Sequence, residues 1–271
     1  MIPDVGLMRY ILDTTQGCRH ITLIDPGKQS AEVATRRAIA AVESGSRMIF
    51  VGGSTNTPDK VVHETCESIQ QAFELQTFAA SQSPDSDEDT WKVPVVLFPG
   101  GAHALSPAAD GITFMMLMNS NSRRFLIDEQ LKGAPYLEKF GVETIPTGYV
   151  IFSPGGKVGE VGEALLLDEN DSDLAYSYAL TAKMFGFKVL YLESGSGSSK
   201  QVSSDCINAA KKVNDLCLIV GGGIRTKEHA EKAAKSGANW IVTGTLTEDA
   251  EDIEDLKMKI SNVVAGAQNQ I

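Results

Sequence analysis

The sequence predicts a single (β/α)8 barrel of the TIM type, and three observations carry the prediction. Eight short β-branched or apolar runs recur along the chain, most of them followed by a stretch with helical periodicity. The runs are almost continuously apolar rather than alternating, as expected of parallel strands covered on both faces. Glycine or proline clusters follow nearly every run, at the strand ends where a barrel carries its chemistry. A length of 271 residues also allows two ordinary domains, and the pattern allows a doubly wound open sheet. Eight βα units in one chain favour a single barrel over residues 1–271, because parallel strands need right-handed crossovers and eight of them can close.

Taken in order, residues 1–17 carry apolar side chains at helical intervals broken by Asp4, Arg9 and Asp13. The segment lacks a basic n-region, so it reads as an N-terminal helix and not as a signal peptide. Strands are expected at 21–25 (ITLID), 47–51 (RMIFV), 93–98 (VPVVLF), 111–117 (GITFMML), 147–152 (TGYVIF), 188–193 (KVLYLE), 216–220 (LCLIV) and 239–244 (NWIVTG). Thr57 followed by Pro58 predicts a helix start, with Val61, Val62, Cys66, Ile69 and Phe73 on one face. Residues 79–91 (AASQSPDSDEDTW) are acidic and aperiodic and are expected to form an inserted, solvated loop. The interval 118–146 is expected to hold an irregular helix pair. Leu174, Tyr178, Ala182 and Phe185 form a stripe that Gly186 ends. Ala230, Ala233 and Ala234 after Thr226 suit close packing, and Ile253, Leu256, Ile260 and Val263 line the last helix.

Composition excludes several functions. Lys and Arg total 24 against 35 acidic residues, a net charge of -11 with no basic run, so nucleic acid is not an expected partner. No apolar stretch approaches the roughly 20 residues of a transmembrane segment. Cys18, Cys66, Cys206 and Cys217 are far apart, without metal-ligand spacing, and read as reduced thiols of a cytoplasmic protein.

The strand ends hold the candidate chemistry. Gly221 to Gly223 and then Gly244 and Thr245 follow the seventh and eighth strands, where backbone N–H groups commonly bind phosphate, and SGSG (194–197) follows the sixth. Such glycines are also what tight βα turns require. Asp25 ends the first strand and is a metal ligand, a general base or a helix cap. Pro26 and Gly27 argue against a cap, because helical periodicity begins only near Ser30. A lone carboxylate suits Mg²⁺ when substrate phosphates complete its shell, and Ser54 is a neighbouring oxygen donor. Glu193 ends the sixth strand and is placed to orient or deprotonate a hydroxyl, or else to pair with a cation. His63 and His229 fall on helices and His20 precedes the first strand, away from the chemistry, leaving His103 as the histidine near the site.

These motifs, IDP, VGGST, YLESGSG, VGGGIRT and VTGT in that order over nearly the whole chain, resemble the geranylgeranylglyceryl phosphate synthases of archaeal ether-lipid biosynthesis. A related bacterial branch makes heptaprenylglyceryl phosphate. The resemblance implies transfer of the geranylgeranyl group from geranylgeranyl diphosphate to the C3 hydroxyl of sn-glycerol 1-phosphate, with release of diphosphate. It implies an acceptor site of Tyr191, Leu192, Glu193, Ser194, Gly195, Ser196, Gly197, Gly222, Gly223, Gly244 and Thr245. It further implies Mg²⁺ on Asp25 and Ser54, Glu193 as the catalytic carboxylate, and a homo-oligomer, either a dimer or a larger ring. Ser194 and the acidic insertion depart from the family pattern. Phe114, Met116, Tyr136 and Phe140 are candidates for a prenyl groove. The alternatives are another phosphosugar or thiamine-type reaction on the same barrel, and a non-catalytic binder of phosphorylated ligands.

Overall fold

The computed structural model describes residues 6–53, 56–84 and 87–269. Among them β1 (Arg19–Ile24), β2 (Met48–Gly52), β3 (Val95–Phe98), β4 (Gly111–Leu117), β5 (Glu143–Ile151), β6 (Val189–Glu193), β7 (Cys217–Gly221) and β8 (Trp240–Thr243) pair in parallel, in chain order, and close into a barrel. Closure is made between β1 and β8, where Thr22 stands opposite Thr243. The helices are α1 (Leu7–Leu12), α2 (Ala31–Glu43), α3 (Asp59–Ser81), α4 (Glu129–Phe140), α5 (Gly156–Val161), α6 (Ser172–Met184), α7 (Ser204–Lys211), α8 (Lys227–Lys235), α9 (Thr245–Glu248) and α10 (Ile253–Gln268). None of them is long and apolar enough to cross a membrane.

Successive residues of each strand face opposite ways, which is why both faces must be apolar. Ile21, Phe50, Tyr149, Tyr191 and Trp240 fill the interior. Their neighbours Ile24, Val51, Val150, Leu192 and Ile241 pack in the layer beneath the helices. The bottom of the barrel is plugged by α1, whose Leu7 and Ile11 are buried. The Trp240 indole donates to the Ile11 carbonyl at 3.0 Å. Arg19 donates to the carbonyls of Tyr10 and Ile11 and lies over the Trp240 ring at 3.8 Å. With the bottom closed, the upper mouth is the open end. Ser30, Ser203 and Thr226 each accept a backbone N–H at the start of α2, α7 and α8, caps that stabilise a helix by about 1 kcal/mol each. All four cysteines are buried and free, and burial pushes the thiols of Cys18, Cys66 and Cys217 up to about 12.

Several elements differ from expectation. The helix after Thr57 starts at Asp59, with Pro58 in extended conformation at the cap position. It runs on to Ser81, and Glu88–Trp91 form a 3-10 turn, so 79–91 is not one loop. Trp91 anchors the segment, with its ring 6.0 Å from that of Phe73. β5 starts at Glu143, upstream of Pro146. Pairing with β6 begins only at Thr147, so the missing proline N–H costs no ladder bond to that neighbour. Residues 118–146 hold one helix, α4, entered through a π-helical turn at Arg124–Asp128, rather than a pair. The buried face of α6 is Ala175, Ala179 and Ala182, while Leu174 and Phe185 are exposed. The alanines let α6 approach Gly148 of β5, where a Cβ would lie 3.2 Å from that of Ala182. Gly186 does terminate α6, at φ +86°.

Candidate active site

Glu193 and Tyr191 lie two apart on β6 and therefore point the same way, toward the upper mouth. The Tyr191 hydroxyl donates to Glu193 Oε2 at 2.7 Å, and the Gly195 N–H donates to Oε1 at 2.6 Å. Burial raises the Glu193 carboxyl above the usual range, and the hydrogen bonds from Tyr191 and Gly195 offset part of that rise. Burial, reinforced by the Glu193 charge, pushes the phenols of Tyr191 and Tyr149 well above their ordinary value. Glycines at the end of β7 and just beyond it make room for this pair. Gly221 stands opposite Glu193 in register, and a Cβ there would run into the Tyr191 hydroxyl. One on Gly222, at φ +80°, would collide with Glu193 Oε1 and Ser194 Oγ.

Beside Glu193 is a small pocket of about 30 Å³ lined by Tyr191, Glu193, Ser196, Gly197, Gly222, Gly223, Gly244 and Thr245. Thr245 opens α9, a single turn in which the Thr247 and Glu248 N–H groups bond back to the Gly244 carbonyl, leaving the N–H groups of Thr245 and Leu246 at its start on the pocket side. Ser196 Oγ and Thr245 Oγ1 are 3.2 Å apart across the pocket. Three expected residues support the pocket without lining it. Leu192 packs in the outer layer, the Ser194 hydroxyl donates to the Lys200 carbonyl at 2.8 Å, and the Gly195 N–H is engaged by Glu193. Arg225, which sequence reasoning passed over, lines the pocket and donates to the Gly197 carbonyl at 3.0 Å. Its signal was present, as a cation two residues beyond the glycine run of the seventh strand.

A larger cleft of about 360 Å³ shares Leu23, Glu193, Ser196, Gly197 and Thr245 with that pocket. Its polar end holds Asp25, Lys28 and Glu248. Its other end, over β3 and β4 and against α4, is lined by Phe98, Leu105, Ile112, Phe114, Met115 and Leu137. Phe114 is thus where a groove residue was expected, whereas Met116, Tyr136 and Phe140 are not in the lining. The Tyr136 and Phe140 rings pack against each other at 4.6 Å, tilted by 42°, with Phe140 exposed. Glu129 ties the wall together. It accepts from the Ala102 N–H at 2.8 Å and from Arg124 Nε at 2.7 Å. Burial alone would raise its carboxyl, but the hydrogen bonds from Ala102, Arg124 and Lys132 hold it below the usual range. His103 is outside both linings. His20, expected to precede β1, lies within it, buried, with its ring nitrogens 2.7 Å from Ser46 Oγ and 2.9 Å from Thr243 Oγ1.

Asp25 is buried at the end of β1 and accepts the Gly27 N–H at 2.9 Å. A Cβ on Gly53 would stand 2.7 Å from Asp25 Oδ2, so that glycine keeps the carboxylate approachable from β2. Ser54, the second expected ligand, lies outside the described residues. Among the described residues no group of three His, Cys, Asp or Glu gathers as a metal cage. A lone carboxylate suits Mg²⁺, which keeps waters and takes ligand phosphate oxygens, and does not suit zinc.

A closed (β/α)8 barrel whose upper mouth joins a small glycine-lined pocket to a larger, mostly apolar cleft through a shared carboxylate, that of Glu193, has the architecture of a TIM-barrel enzyme. Within that class the chain belongs to the PcrB family, whose model matches residues 85–267. It is 42% identical over 245 residues to geranylgeranylglyceryl phosphate synthase of Picrophilus torridus, covering 90% of this chain and 93% of that protein. The enzyme of the same name from Methanothermobacter marburgensis is 40% identical over 91% of this chain and 92% of its own length. Among solved structures, (S)-3-O-geranylgeranylglyceryl phosphate synthase of Thermoplasma acidophilum, in complex with its substrate sn-glycerol-1-phosphate, superposes with a TM-score of 0.86 at 34% identity. That superposition covers 98% of this chain and 99% of the other. Thiamine phosphate pyrophosphorylase of Pyrococcus furiosus, 14% identical with a TM-score of 0.56 over 93% of this chain and 97% of its own, shares the fold.

Proposed function

We propose that this chain is a prenyltransferase that joins the geranylgeranyl group of geranylgeranyl diphosphate to the C3 hydroxyl of sn-glycerol 1-phosphate, releasing diphosphate and leaving an ether. The observation that carries the reading is the shared wall. Glu193 lines both the anion pocket and the apolar cleft, so a phosphorylated acceptor in one and a prenyl chain in the other meet at a single carboxylate. The names of the relatives and the ligand of the Thermoplasma acidophilum structure point the same way.

In this reading the glycine loops after β6, β7 and β8 hold the acceptor's phosphate by backbone N–H groups, which fixes the glycerol hydroxyl beside Glu193. The allylic C–O bond of the donor breaks, its carbon bonds to the C3 oxygen, and the hydroxyl proton passes to Glu193. Tyr191 and Gly195 hold the carboxylate so that one oxygen keeps its direction throughout. Asp25, with Ser54 as the second expected ligand, would hold a magnesium ion that supplies positive charge to the departing diphosphate. The apolar cleft excludes water from the allylic centre, which favours ether formation over hydrolysis. We place the chain in the cytoplasm on the strength of its buried free thiols, and expect copies to associate, supported by the exposed Tyr176, Met184 and Phe185 of the α6 segment.

The test is incubation of purified protein with Mg²⁺, geranylgeranyl diphosphate and each enantiomer of glycerol phosphate, with products read by mass spectrometry. The ether should form from the sn-1-phosphate enantiomer in preference to the other. Absence of an ether product from either would refute the reading.

A further inference from the structure

One ion pair at the rim of the cleft has no part in the chemistry above. Lys28 Nζ and Glu248 Oε2 stand 2.7 Å apart, and both residues line the polar end beside Asp25. They arrive from different elements. Lys28 closes the turn that Asp25 opens, its N–H donating to the Asp25 carbonyl at 3.2 Å. Glu248 ends α9, the short helix that Thr245 begins beside the anion pocket. The Lys28 side chain is 46% exposed and that of Glu248 24%, so the ammonium is the freer partner and the pair adds little to stability. The other lysine lining the cleft, Lys157, stands 3.5 Å from Glu160 on its own helix α5.

Charge at this end sets the problem. A diphosphate entering beside Asp25 meets the carboxylates of Asp25, Glu193 and Glu248, so a nearby cation is required to offset repulsion. We propose that Lys28 is a diphosphate-binding residue for the prenyl donor, and that Glu248 is its counter-ion, holding the ammonium at the rim until the donor's diphosphate displaces the carboxylate. The inference rests on the prenyltransferase reading insofar as that reading brings a diphosphate to this end of the cleft. It makes Glu248 a competitor of the donor, so the two members of one ion pair have opposite effects on diphosphate affinity. A purely structural bridge would make them act alike. A bridge that only shields the acceptor's phosphate from Glu248 would act on acceptor affinity instead.

The test is calorimetric titration of inorganic diphosphate with Mg²⁺ into the full chain, as wild type, Lys28→Met, Lys28→Arg and Glu248→Gln, each first shown to melt like wild type. Lys28→Met should weaken diphosphate about tenfold, as expected for loss of one charge-assisted contact, and Lys28→Arg should retain most of the affinity. Glu248→Gln should tighten it several-fold. In steady-state assays the same changes should appear in KM for geranylgeranyl diphosphate, with KM for glycerol phosphate within about twofold of wild type. Equal loss in Lys28→Met and Glu248→Gln, no change in either, or a shift confined to the acceptor would overturn the proposal. The titration needs no turnover, so wild-type protein that binds diphosphate without making ether would refute the activity while leaving the Lys28 result readable.

Discussion

Glu193 and Tyr191 form a closed unit, in which the tyrosine hydroxyl donates to Oε2 at 2.7 Å while the Gly195 N–H takes Oε1. Both groups are buried, and burial holds the Glu193 carboxyl above its ordinary value. A raised carboxyl in the folded state contributes stability that is present below the unfolded pKa and is lost as pH rises through the folded one. Keeping Glu193 charged in the fold therefore costs folding free energy.

Glu193→Gln should lower kcat by roughly 10² to 10⁴ while melting no lower than wild type at neutral pH, because the cost of the buried charge is gone. The wild-type pH–rate profile should fall on its acid side above the usual glutamate range, and the variant's residual rate should lack that limb. Parallel melting curves and rate profiles check both halves. A variant that loses stability and activity together would point to a scaffolding role.

Gly222→Ala places a Cβ against Glu193 Oε1 and Ser194 Oγ at φ +80°. It should destabilise the fold by about 1–3 kcal/mol, the usual cost of strain at such a position, and abolish turnover. Gly186→Ala, also at positive φ but with no atom within 4 Å of the added carbon, should cost stability and leave activity intact. Chemical denaturation and rate assays on the pair separate backbone strain from displacement of the carboxylate.

His20 is neutral in the fold because burial pushes its ring down to about 3. Its unfolded value lies near 6.5, so below that pH the unfolded chain binds the additional proton and stability falls as pH drops from about 6.5 toward 3. Denaturation midpoints across that window should show the loss, and His20→Gln should flatten it. His20 also touches Thr243, the residue before Gly244, so the variant should raise KM for glycerol phosphate more than it lowers kcat.

Glu129 joins the loop after β3 to α4 through Ala102 and Arg124. Glu129→Ala leaves the Ala102 N–H without that acceptor and loosens the cleft wall, a loss of about 1–3 kcal/mol in stability. KM for geranylgeranyl diphosphate should rise several-fold with KM for glycerol phosphate unchanged. A steady-state matrix in both substrates reads this directly, and an equal change in both KM values would contradict it.

Much of the architecture was legible because the physics is local. Continuous apolar runs ended by glycine are what buried parallel strands with functional mouths require, and β4 matches its expected span at both ends. The glycine-lined pocket was legible because positive-φ turns and close backbone approach both demand glycine. What depends on register was not. Half of the expected α6 stripe, Tyr178 and Ala182, packs on the core, whereas Leu174 and Phe185 are exposed, because the close approach to Gly148 favours alanine over large apolar residues. Pro146 hid the start of β5, since its tolerance depends on where the β6 pairing begins. Glu129 meets Ala102, 27 residues away in sequence, and the Lys28 ammonium meets Glu248, 220 residues away, and no short-range signal carries those pairings. The net charge of -11 counts side chains alone, whereas the proposed anion pocket is lined in large part by glycines, whose backbone N–H groups a charge count omits.

The most direct measurement of the central claim, that two substrates meet at Glu193, is diphosphate release from geranylgeranyl diphosphate with Mg²⁺, followed with and without sn-glycerol 1-phosphate, in wild type and Glu193→Gln. Release should depend on the acceptor in wild type and fall at least a hundredfold in the variant, as loss of an acid–base group should produce. Release that proceeds without the acceptor, or at the wild-type rate in Glu193→Gln, would contradict it.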